Sequence, residues 1–230
     1  MREHVDLPDE DRQRLVHPMD LPDARRSYVR SLWLREAASP QFFFLLAAFL
    51  WAVSNNFITP LAAPLSTAVF AALAARKAER DSWSYIPRRR HDLARETPGA
   101  WVIAGAAFRA GALFLGLAVI CIRAAALSLP EGVAAWTVGS GAAVAVLMGV
   151  ELVWVLRTAR ANRERVRVWP QVFTLAAVIG AVALAVAVLS GEGAGWRLEE
   201  IAAGAAVIVG VQVIWWISQA RPRRGLEEQS

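Results

Sequence analysis

The sequence predicts an all-α integral membrane protein with six apolar helices arranged as three hairpins, preceded by a basic amphipathic helix at the membrane interface. Three observations carry this reading. Hydrophobic residues make up 56% of the 230-residue chain and its mean hydropathy is +0.37, whereas ordinary soluble chains are about half apolar even with glycine counted. Five long, almost uncharged runs interrupt the chain: Gln41–Ala75, Ala100–Ile122, Val133–Leu156, Gln171–Leu189 and Ile201–Ala220. A spanning helix needs about 20 apolar residues, so these runs suit a bilayer better than the core of a soluble helical bundle. They lack two-residue alternation, which favours helices over a closed barrel. Finally, the basic residues are concentrated outside the runs.

The basic arm comes first. Residues 1–40 carry charges throughout and no apolar region near the start, so no cleavable signal peptide is expected. Within this arm Pro22–Ala38 reads as a helix, opened by a proline in its first turn and stopped at Ser39-Pro40. Tyr28, Val29, Leu32 and Trp33 fall at helical spacing among Arg25, Arg26, Arg30 and Arg35. A basic amphipathic helix beside a span suits the headgroup plane, and packing on the protein's own loops is the alternative.

Gln41–Ala75 would be about 50 Å long as one helix, too long for a hydrocarbon layer of about 30 Å. Its middle reads Ser54-Asn55-Asn56, then Thr59-Pro60 and Pro64. Proline disfavours helix in the residue before it and donates no hydrogen bond. A hairpin over residues 41–76, turning at Asn55–Pro60, is expected; a re-entrant hairpin is the rival. Residues 77–99 then form a basic loop in which Trp83 and Tyr85 suit a membrane interface and Arg88, Arg89 and Arg90 suit anionic headgroups. Nucleic acid could bind such a cluster, but a plain topology signal accounts for it and nucleic acid is disfavoured.

Residues 100–157 are read as the second hairpin, 158–170 as another basic loop, 171–220 as the third hairpin and 221–230 as a polar tail. Gly149-Val150-Glu151-Leu152-Val153-Trp154 resembles Gly210-Val211-Gln212-Val213-Ile214-Trp215 at an offset of 61, which suggests two parallel repeats. Glycines and alanines would let the helices approach closely.

Of the 25 Lys and Arg residues, seven lie in Arg2–Arg35, seven in Arg76–Arg95, five in Arg157–Arg167 and three in Arg221–Arg224. With the first run as a hairpin, all four clusters share one face, which the positive-inside rule makes cytoplasmic, together with both termini.

Arg109 and Glu151 are charges inside apolar runs, and such residues mark functional sites by default. Their depths differ by about one helical turn, so the second hairpin is expected to pair them. Gln212 occupies the repeat-equivalent place of Glu151. A pair that only fixes helix register would look the same. No enzyme chemistry is supported. His4, His17 and His91 all fall outside the runs, no aspartate follows Asp92, and Lys77 is the single lysine. These exclude, for the spans, a histidine metal cluster, paired-aspartate magnesium sites and a Schiff-base pigment. Gly139-Ser140-Gly141 has no accompanying base and reads as close packing. One cysteine, Cys121, allows no internal disulfide. No cofactor is expected. The leading reading is a non-enzymatic membrane subunit or scaffold acting through self-association or a membrane partner, in contact with lipid and anionic headgroups. A small-solute transporter or pore-forming effector centred on Arg109 and Glu151 is second. A water-filled path reaching Arg109 would favour the second.

Overall fold

The computed structural model describes residues 17–54, 56, 58–86, 97–126, 132–161, 169–190 and 197–219. Within them lie a short 3-10 turn, Pro18–Asp20, and seven α-helices: α1 (Pro22–Ala37), α2 (Pro40–Val53), α3 (Thr59–Trp83), α4 (Gly99–Ala126), α5 (Val133–Ala161), α6 (Trp169–Ser190) and α7 (Leu198–Gln219). Proline stands in the first turn of α1, α2 and α3, where its missing N–H would have no intrahelical partner anyway. Ser39 caps α2 by accepting from the Phe42 amide at 3.3 Å, and the Asn56 carboxamide oxygen accepts from the Thr59 amide at 2.8 Å ahead of α3.

Among the described residues three helices are long and apolar enough to cross a membrane: α4, the Val133–Trp154 part of α5, and α7. The chain is thus compatible with a membrane protein. α1 and α2 meet that test only as a pair, and the pair is bent by 59° at their junction. The described apolar part of α6, Thr174–Ser190, is shorter. α3 runs on to Trp83, well past the expected end near Ala75, because Ala68, Ala72, Ala75, Glu79 and Ser82 continue one buried face.

The helices α2, α4, α6, α5, α7 and α3 follow one another around a ring, each packed on the next and α3 closing on α2. α1 lies mainly against α3. The sequence reading made α4 and α5 neighbours; they touch only marginally, because α4 packs on α2 and α6 while α5 packs on α7 and α6. Inside the ring, Trp136 of α5 stacks on Phe44 and meets Trp51 edge-on, with ring centroids 6.2 and 4.3 Å apart. Large side chains such as Phe70, Leu115, Trp154 and Leu184 are exposed.

Candidate polar centre

α5 and α7 run parallel and approach closely because their contact is made at glycines. A Cβ on Gly139 would collide with the Ile201 backbone, and one on Gly204 with the Trp136 carbonyl. This close approach brings the repeat-equivalent residues together: the Gln212 carboxamide donates to Glu151 Oε1 at 2.8 Å. Trp216 Nε1 donates to the same oxygen at 3.1 Å.

Arg109 of α4 finds a different carboxylate from the one expected. Its Nε lies 3.5 Å from Glu36 Oε2, at the end of α1. Glu151 makes no ion pair with Arg109, because α4 and α5 touch only marginally. The Arg109 guanidinium instead lies over the Trp215 ring, 5.1 Å from its centroid, a cation–π arrangement. Gly105, one turn before Arg109, admits Glu36: a Cβ there would stand 2.7 Å from Glu36 Oε1. Neighbouring Arg35 forms an ion pair with Glu79 of α3, and Arg76 donates to the Ile217 carbonyl of α7. A polar layer thus runs from α3 through α1 and α4, with Glu151 and Gln212 across the bundle.

Two cavities meet at Arg109. The first, about 140 Å³, lies between α1, α4 and α7 and includes Arg35, Glu36, Arg109 and Trp215 in its lining. The second, about 60 Å³, is bounded by Gln41, Ala106, Arg109, Met148, Glu151, Leu152 and Thr174. Arg109 and Glu151 therefore share a cavity although they do not pair. Gln41 is only 4% exposed, and its Oε1 has no hydrogen-bond partner.

Glu36, Arg35, Glu79 and Gln41 were missed from the sequence. Glu79 had a signal, since it continues the i, i+4, i+7 run of alanines on α3. Arg25, Arg26 and Arg30 are exposed on α1, and Arg26 pairs with Asp23 at 3.2 Å. Arg88, Arg89 and Arg90 lie outside the described residues, as do the rest of 87–96, residues 162–168 and the polar tail. Among the described residues no group of three or more His, Cys, Asp or Glu side chains is placed to hold a metal ion. Comparison with protein-family models, with curated proteins and with solved structures found no match to this chain.

Proposed function

We propose that this chain is a multi-pass membrane protein that binds a small polar solute at the Arg109 centre and carries it across the bilayer. The observation that supports it is the position of Arg109 at the border of two cavities, with Gln41 Oε1 buried and without a hydrogen-bond partner and the Arg109 Nε–Glu36 Oε2 ion pair loose at 3.5 Å. Buried polar groups are normally satisfied, and one that is not calls for a ligand or water. The bilayer orientation follows from charge. α2 to α7 cross six times as three hairpins, the four basic clusters and both termini are cytoplasmic, and Arg25, Arg26 and Arg30 of α1 meet anionic headgroups. The test is a thermal-shift screen of small ions and polar solutes on the purified protein, followed by uptake of the hits into proteoliposomes. A stabilising solute should be taken up by wild type and not by Arg109→Gln. A solute that binds without being taken up, or an Arg109→Gln variant with undiminished uptake, would contradict the reading.

A second reading, a non-enzymatic membrane subunit acting through assembly, is favoured by Gly111, Gly149, Gly180 and Gly210, where an added Cβ would meet nothing. Such open glycines suit a second helix from another copy or from a partner. Gly180→Leu with Gly210→Leu should then shift the detergent-solubilised protein to a smaller particle in light scattering.

A further inference from the structure

We infer that Glu36 is a proton-binding site, and that a proton on it releases Arg109 from α1 toward Glu151 and Gln41 across the smaller cavity. This rests on the solute-binding reading above and names a ligand that regulates the same centre. Its first support is one guanidinium facing two carboxylates. Arg35 is committed to Glu79. Arg109 holds Glu36 at 3.5 Å and shares the smaller cavity with Glu151 without pairing to it. The hydrogen-bond partners of Glu151, Gln212 and Trp216, are neutral. Two carboxylates beside one arginine favour protonation of one of them, and burial favours it further. The Glu36 side chain is 16% exposed, largely out of water yet open to a proton from it. Gly105 makes room for it there, since a Cβ would stand 2.7 Å from Glu36 Oε1. Burial pushes the Glu36 carboxyl up from its ordinary 4.5; Arg109 opposes the rise, Glu151 adds to it and Arg35 opposes it.

The charged groups facing Glu36 are thus Arg35 on its own helix, Arg109 of α4 and Glu151 of α5. α3 brings Glu79, held by Arg35, and α2 carries no charge. α7 brings Trp215 and Gln219 to the cavity wall, and Asp20 lies beyond the opposite end of α1. Protonation adds one hydrogen ion from water to a Glu36 carboxylate oxygen and cancels its charge; no other covalent bond changes. At 3.5 Å the contact with Arg109 is already long, against about 2.7–2.9 Å for a tight charge-assisted bond. Once Glu36 is neutral, the Arg109 charge has acceptors on its other side. Glu151 and Gln41 line the same cavity of about 60 Å³ as Arg109. Gln41 is only 4% exposed and its Oε1 has no partner. Acceptors on both sides of one arginine give it two discrete arrangements, as a switch requires.

The test uses the full chain in nanodiscs and reads protonated carboxyl groups by their infrared C=O band as pH is lowered. Wild type should show a band with a midpoint above 4.5 that is absent from Glu36→Gln. Glu151→Gln removes the second negative charge and should move that midpoint to lower pH; Arg109→Gln removes the counter-charge and should move it to higher pH. An arginine variant could fail to fold, so wild type, Glu36→Gln and the conservative Glu151→Gln decide this arm by themselves. Thermal melts read the transfer of Arg109 separately. In wild type, Arg109→Leu and Glu151→Gln should lower the melting temperature by nearly additive amounts. In Glu36→Gln, which mimics the protonated state, the same two changes should become non-additive, because Arg109 now meets Glu151. No band assignable to Glu36 above 4.5, a midpoint insensitive to Glu151→Gln, or additivity retained in Glu36→Gln would overturn the proposal. The Glu36 band in a protein that takes up no solute would remove the transport reading and keep the proton site; Arg109-dependent uptake without that band would do the reverse.

Discussion

Arg109 is the residue on which the polar centre turns, and its partner is Glu36. Separating them leaves one partly buried charge uncompensated, which costs more than the pair contributes. Arg109→Leu or Glu36→Gln alone should therefore cost about 1–3 kcal/mol of stability, and the Glu36→Gln/Arg109→Leu double variant should recover much of it in thermal melts. Combining Arg109→Leu with Glu151→Gln should give losses closer to additive, because Glu151 holds its own donors, Gln212 and Trp216. The sequence made Arg109 and Glu151 conspicuous as charges in apolar runs. It could not show that Arg109 reaches Glu36 in a distant helix, since no local period links α1 to α4. His17 offers a second residue-scale prediction. Its Nδ1 accepts from the Met19 amide at 3.1 Å, its ring packs edge-on against Tyr28 and Trp83, and burial lowers its pKa below the ordinary 6.5, partly opposed by Asp20. The folded form thus favours neutral imidazole. Its contribution is complete above pH 6.5 and declines as pH falls from there through the lower folded value, because protonation removes the acceptor. Hydrogen exchange at Met19, corrected for its intrinsic pH dependence, should show protection lost across that window.

At the scale of elements, the helix starts were legible because proline marks them: Pro22, Pro40 and Pro60 each stand in a first turn. Which face each helix buries was less legible. The sequence offered Tyr28, Val29, Leu32 and Trp33 as the apolar side of α1; Tyr28 is buried, but its buried companions are Ala24 and Ser31, while Trp33 is 42% exposed. Small residues fit the close approach to α3, and a composition-based stripe gives them little weight. Glycine supplies the corresponding logic between α5 and α7. Gly139→Leu or Gly204→Leu would drive a side chain into the neighbouring helix backbone, and overpacking of this kind typically costs about 1–3 kcal/mol. Each should lower the melting temperature and weaken the Gln212–Glu151 hydrogen bond. Gly210→Leu, which faces open space, should leave the melting temperature close to wild type.

For the whole molecule, the apolar runs were legible and the order of helices around the ring was not. Side-chain fit and not chain order decides the neighbours: Gly116 of α4 receives Phe44 of α2, while α5 takes α7. The proposed six crossings make a statement about every loop. The measurement that tests it most directly is a set of reporter fusions in cells, at positions 1, 90, 163 and 230 and at 127 and 194. Both termini and positions 90 and 163 should report the cytoplasm, and 127 and 194 the opposite side. A cytoplasmic signal at 127 or 194, or an external N-terminus with the other basic segments inside, would contradict six crossings and remove the bilayer frame in which the Arg109 centre carries a solute.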